Sequence, residues 1–213
     1  MIITSIEIQK KNKNRYSLFI DDEFYCGVHE DVIVNLALHK NMSVDQSFLN
    51  QVLQEEMLAK GKYEALHYIS YRMRSKKEVM DKLKNLDYDE ETIDQIMPFL
   101  FEHRFIDDLA FAKAFISDKC RLSKHSLKKI KYSLQEKGID ETLFTKASEE
   151  YLGYDLINLE KLLPSKYNKL LEKHKNEPYV LDQKIKSFFY QKGFHIEDIK
   201  QVLNQLKKDQ NSI

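Results

Sequence analysis

The sequence predicts a mainly α-helical protein: three tandem three-helix repeats of helix-turn-helix type, preceded by a small N-terminal antiparallel β segment. Three observations carry this reading. From Val44 onward, apolar residues recur at spacings of three and four. One pattern of residues returns at a period of about 50–55 positions. With 5 Gly and 3 Pro in 213 residues, the chain has too few turn formers for a sandwich or barrel.

The N-terminus has a different period from the rest. Ile2, Ile6 and Ile8, then Tyr16, Leu18 and Ile20, alternate with polar residues as strands do. Lys10, Lys11, Asn12, Lys13 and Asn14 read as the turn between them, and Phe24 to Val28 as a third short strand. Such a sheet is marginal alone and needs a helix over its apolar face. Residues 31–39, with Val32, Ile33, Leu36 and Ala37 on one side, are the expected cover. Phe48, Leu49, Val52, Leu53, Met57 and Leu58 then predict an amphipathic helix that Gly61 interrupts. Ala65, Leu66, Ile69 and Met73 carry a second stripe beyond it.

Ser75 with Glu78 three residues later matches a capping box, so a helix opens there and buries Val79, Met80, Leu83 and Leu86. The next helix starts near Asp89, with Glu90 and Glu91 at its positive end, and buries Ile93, Ile96, Met97, Leu100 and Phe101. Pro98 lies inside that pattern. It removes a backbone bond at a cost of about 3 kcal/mol, so a kink or a break is expected.

The phrase then recurs. Ser75, Leu83, Asp87 and Tyr88 align without gaps with Ser126, Leu134, Gly138 and Ile139, and again with Leu181, Phe189, Gly193 and Phe194. Lead helices match too, as Ala65, Tyr68, Ile69 and Ser70 align with Ala112, Phe115, Ile116 and Ser117. Gly138 and Gly193 stand where a helix stop calls for a left-handed residue, a conformation Asp87 tolerates better than most. The third copy is the most altered, with Pro164 and Pro178 around Tyr167, Leu170 and Leu171. The expected division is residues 1–60 for the sheet and its covering helices, then repeats over 61–106, 107–153 and 154–213.

Composition bounds the chemistry. Lys plus Arg and Asp plus Glu each total 34, so formal net charge is zero and any polyanion surface rests on local asymmetry. Cys26 and Cys120 are far apart, which reads as a reduced chain. No long apolar run and no leader-like segment is seen, so a cytoplasmic location without membrane contact is expected. The seven histidines form no His-x-x-x-His pair, and no P-loop or dinucleotide fingerprint occurs. Asp107-Asp108 reads as a helix cap rather than a metal or acid–base pair. Cys120, between Lys119 and Arg121, has neighbours that lower a thiol pKa, but no base at defined spacing. No enzyme, cofactor or metal is expected.

Cations, in contrast, are segregated. Arg72, Arg74, Lys76, Lys77, Lys82 and Lys84 surround the middle helix of the first repeat. Lys119, Arg121, Lys124, Lys128, Lys129, Lys131 and Lys137 surround that of the second, where Glu136 is the only acid over residues 119–137. Between them, Asp87, Asp89, Glu90, Glu91, Asp94, Glu102, Asp107 and Asp108 crowd a stretch in which Arg104 is the only Lys or Arg. Faces of this kind suit phosphates or an acidic protein surface, and their outward residues are mainly lysines rather than the Asn, Gln and Arg that read base edges. An ordinary solvated face accounts for any one cluster; both repeats sharing one sign favours a binding role.

The ordered set of motifs resembles the RecX family of RecA regulators. It runs through Tyr71-Arg72-Met73-Arg74-Ser75-Lys76-Lys77-Glu78-Val79 and Leu83, then Phe105-Ile106-Asp107-Asp108-Leu109-Ala110-Phe111-Ala112. Ile130, Leu134, Lys137-Gly138-Ile139, Gln183-Lys184, Phe189 and Lys192-Gly193-Phe194 continue it, so it covers about residues 60 to 206. The resemblance implies an elongated, curved array of the repeats. It also implies binding along filaments of RecA recombinase on single-stranded DNA, restraint of ATPase and strand exchange, and a monomer in recombination and SOS repair. The basic faces would be the RecA or DNA contacts. Two departures bear on geometry: Ser126 stands where the family usually has Gly, and Pro98 is unexpected in its helix. The alternatives are a stand-alone DNA-binding helical protein that binds single or double strands without sequence preference, and a purely structural scaffold.

Overall fold

The structure, a computed structural model, describes the backbone of residues 1–211 and side chains to residue 209. Residues 212 and 213 of the expected third repeat lie outside the described residues. The chain forms two compact units, Met1–Ile106 and Asp107–Ile213.

In the first unit, strands β1 (Ile3–Gln9), β2 (Asn12–Ile20) and β3 (Glu23–His29) make an antiparallel sheet in sequence order. The β1–β2 turn is only Lys10-Lys11, shorter than expected, because Asn12 already pairs with Gln9. Asp21 and Asp22, both at positive φ, make the tight turn into β3. The expected alternation fails at both ends of β1. Ile3, not Ile2, is the buried residue, and Ile8 is exposed. An extra residue in β1 between Ile3 and Ser5 shifts the register, so Ile3 and Ile6 face the same core. Helices α1 (Glu30–Asn35) and α2 (Gln46–Ser70) cover that face through Val32, Leu49 and Val52.

Helix α2 corrects a second expectation. It runs unbroken for 25 residues, through Gly61. That glycine is a packing residue. A methyl at its Cα would strike Ile96 Cδ1 and lie 3.1 Å from the Tyr88 ring, so its absence lets α4 (Glu90–Glu102) approach. The C-terminal part of α2 packs with α3 (Lys76–Lys84) and α4 around Ala65, Val79, Leu83, Ile93, Ile96 and Leu100. The Ser75–Glu78 capping box is formed, and Asp89 caps α4 by accepting the Thr92 N–H at 2.8 Å. Pro98 does not break α4. It and Asp94, whose carbonyl loses its partner, are both exposed, so water can reach the freed oxygen. Leu86 and Phe101, expected inside, are partly exposed at the helix edges.

In the second unit, α5 (Asp108–Asp118) leads through a single π turn, Lys119–Ser123, into α6 (Leu127–Glu136) and α7 (Glu141–Ser148). Asp107 caps α5, accepting the Ala110 N–H at 2.9 Å. A short 3-10 turn, Glu149–Tyr151, precedes α8 (Tyr154–Leu171), α9 (Pro178–Gln191) and α10 (Ile196–Asn211). Each trio encloses its own core: Phe111, Ile116, Ile130 and Leu134 in one, Leu163, Ile185, Phe189 and Ile199 in the other.

The repeat is real at the level of single hydrogen bonds. Tyr88, Ile139 and Phe194 each donate to the carbonyl five residues back, on Leu83, Leu134 and Phe189, at 3.2, 3.0 and 3.2 Å. Asp87, Gly138 and Gly193 supply the positive φ (63°, 81° and 95°) that this stop requires. The starts differ. Ser75 and Ser126 are fully buried N-caps, whereas the aligned Leu181 lies inside α9, which begins earlier at Pro178.

Candidate binding surface

In the first unit, the cations of α3 and its approach are mostly engaged. Arg72 forks onto Glu78, with Nη2–Oε1 at 2.9 Å and Nη1–Oε2 at 3.3 Å. Lys77 reaches Asp81 at 3.1 Å, and Lys84 reaches Glu90 at 2.9 Å. Arg74 stands over the Tyr68 ring, 3.9 Å from its centre, with Lys82 6.0 Å from the same centre. Lys76 stands at the first turn of α3, 5.8 Å from the centre of Phe101. This surface is a set of local pairs more than a run of open charge.

The second unit is different. Lys119 and Lys137 flank the Phe115 ring at 5.3 and 5.9 Å. Arg121 makes a loose 3.4 Å contact with Asp118 on an exposed helix end. Lys131 is paired with Glu141 at 2.7 Å. Lys124, at φ 52°, and Lys128 are exposed and make no ion pair among the described residues. Lys129 Nζ donates to the Gln191 carbonyl at 2.8 Å, and Lys192 Nζ to the Ser123 carbonyl at 3.0 Å. Both reach across from one helix trio to the other within this unit, and a carbonyl, unlike a carboxylate, brings no opposing formal charge.

The crowding leaves a signature. Burial, and then Lys129, Lys192 and Lys119, hold His125 below the ordinary imidazole range. Burial, with Lys129 and Lys124, likewise depresses the Lys192 ammonium. The junction is built closely. Ser126 N–H donates to the Lys192 carbonyl at 3.0 Å, and a Cβ on Gly193 would meet Ser126 Oγ and lie 2.6 Å from Lys129 Cβ. Leu127 N–H donates to Asp155 at 2.8 Å, and Tyr154 Oη to the Cys120 carbonyl at 2.9 Å.

Beside this junction lies a cleft of about 410 Å³, lined among others by Lys128, Tyr132, Tyr190 and His195. Sequence reading missed Tyr132, Tyr190, Lys192 and His195. A signal existed, since Lys128 and Tyr132 are one turn apart on the outer face of α6. Cys120 corrects an expectation: it is 8% exposed, and burial raises its thiol pKa despite the flanking cations. Cys26 is pushed up to about 11, first by burial. Both are free thiols. Among the described residues, no three His, Cys, Asp or Glu converge as metal ligands, and no helix is long and apolar enough to cross a membrane.

Comparison with known proteins gives this geometry a family. The model of the regulatory protein RecX N-terminal domain matches residues 1–45, and those of the first, second and third RecX three-helix domains match 62–100, 107–147 and 160–203. The chain belongs to the RecX family. It is 33% identical over 207 residues to regulatory protein RecX of Clostridium tetani, covering 96% of this chain and 94% of that one. It is 32% identical to that of Listeria monocytogenes serotype 4a, covering 92% of this chain and 72% of the relative. A crystal structure of regulatory protein RecX superposes with a TM-score of 0.76 at 26% identity, covering 95% and 98% of the two chains. RecX from Lactobacillus salivarius gives 0.62 at 30% identity, covering 72% of this chain and 98% of that one. Ser126 is accommodated as a buried N-cap whose hydroxyl accepts the Lys129 N–H at 3.3 Å.

Proposed function

We propose that this RecX-family chain is a cytoplasmic, non-enzymatic regulator of the RecA recombinase, acting as a monomer. In this reading it binds the RecA–single-stranded-DNA filament and restrains ATP hydrolysis and strand exchange. Family membership supports the regulatory role. The observation that carries the contact is the second-unit cation group, where Lys124 and Lys128 are exposed and unpaired while Lys129 and Lys192 bond only to carbonyls. Such a group attracts either filament phosphate or acidic protein surface.

The test is a titration of the protein into RecA-coated single-stranded DNA, following ATP hydrolysis and filament length together. Hydrolysis is expected to fall with added protein, and Lys124→Glu/Lys128→Glu to weaken that effect about tenfold or more at moderate salt with an unchanged circular dichroism spectrum. Full inhibition by the folded double variant would remove the proposed surface. Lys129 and Lys131 are poor probes, because each also holds the fold, through Gln191 and Glu141.

A further inference from the structure

The cleft next to the cation group has a composition that phosphate contact alone does not require. Its rim carries Tyr132 and Tyr190, 59% and 65% exposed. Among the described residues neither hydroxyl has a hydrogen-bond partner and neither ring a stacking partner. Exposed tyrosines are ordinary singly. Two on one cleft, on α6 and α9, with Lys128, which makes no ion pair among the described residues, lining the same cleft, are a platform. The volume, about 410 Å³, falls in the range of about 300–1,000 Å³ that small organic groups occupy. The floor is firm, because Gly193 lets the end of α9 press against Ser126 and Lys129.

Charge continues away from the cleft. Lys129 lines it, and Lys192 and Lys124 follow, with Lys129 and Lys124 close enough to act on the Lys192 ammonium. Asp155, a carboxylate that reaches the start of α6, is committed to the Leu127 N–H at 2.8 Å, and Glu141 is paired with Lys131. A base has a π face for either tyrosine, and its flanking phosphates meet ammoniums on the same side. An acidic protein patch would use the lysines but leave the rings without a role. In a duplex the base faces are already stacked on one another, which leaves single strands as the form that offers them.

We propose that the cleft is a nucleotide-unit site for single-stranded nucleic acid, in which Tyr132 and Tyr190 take a base and Lys128, followed by Lys124, takes the adjoining phosphates. Neither ring nor ammonium reads a base edge, so binding is indifferent to sequence. This goes beyond the filament reading, because the contact requires no recombinase.

The experiment is fluorescence anisotropy of the full chain, without recombinase, on a labelled oligothymidylate and on an abasic oligonucleotide of equal length and charge. The normal protein is expected to bind the thymidylate more tightly. Tyr132→Ala/Tyr190→Ala should lose about tenfold or more on thymidylate and little on the abasic strand, and the double Phe variant should restore binding. Lys128→Glu should weaken both strands and flatten the salt dependence. Equal affinity for the two strands, or an alanine variant with unchanged thymidylate binding and an unchanged melting curve, overturns the site. Binding to a polyglutamate peptide that depends equally on the two tyrosines assigns the cleft to acidic protein and also overturns it. Loss of strand binding with full inhibition of RecA retains the filament reading. Intact strand binding with no effect on RecA removes that reading instead.

Discussion

His125 shows how one side chain reports the field around it. Burial and three nearby ammoniums hold its proton more weakly in the folded protein than in the unfolded chain. The unfolded chain therefore binds more protons as pH drops below about 6.5, and folding stability contributed by this residue falls in that window. Above it the contribution is complete. In a proton NMR titration, the His125 ring is expected to titrate below the ordinary imidazole value. Added salt should move it part of the way back, because salt screens the lysines and leaves burial untouched. A titration at the ordinary value would mean that neither the burial nor the gathered ammoniums are as described, and a low value indifferent to salt would remove the ammoniums alone. Lone residues of this kind were not legible in the sequence. Nothing in Lys124-His125-Ser126 announces that Lys192 will stand beside it.

At the scale of the element, what was legible is what the backbone demands locally. Ser75 with Glu78, Asp89 and Asp107 were read as caps because short polar side chains satisfy free N–H groups at helix starts, and all of them do so. The stops after Leu83, Leu134 and Phe189 were readable from Asp87, Gly138 and Gly193 for the same reason. Gly61 was misread because a glycine inside a helical pattern looks the same whether it breaks the helix or admits a neighbour. Only the position of Ile96 and Tyr88 decides. Gly193 serves both roles. Replacing it with Ala combines a left-handed φ of 95° with a Cβ pressed on Ser126 and Lys129. A loss of about 2–4 kcal/mol is expected in urea unfolding, from strain plus overpacking. Gly138→Ala, at a φ of 81°, should lose about 1 kcal/mol from backbone strain. Equal losses would show that α9 does not press on α6.

For the molecule as a whole, zero net charge makes distribution the deciding quantity. Both repeats looked equally basic in the sequence, since a string of letters does not show pairing. Arg72 and Lys77 turn out to be answered by Glu78 and Asp81, whereas Lys124 and Lys128 are not answered. Exposed pairs are worth about 0–1 kcal/mol each, so they cost little to form yet cancel much of the distant field. Reversal of Lys77 to Glu is expected to change half-inhibition of RecA ATPase less than reversal of Lys128. The opposite order would move the contact to the first repeat.

The unbroken α2 carries a last consequence. Its first turns sit in the core under the sheet, at Leu49 and Val52, and its later turns in the core of the first repeat, at Ala65. Family descriptions part these at residues 45 and 62, but a rod shared by two cores cannot fray in the middle without exposing both. Amide hydrogen exchange along α2 should therefore slow to one common rate from Val52 to Ala65, making the strands and the first helix trio a single cooperative folding block.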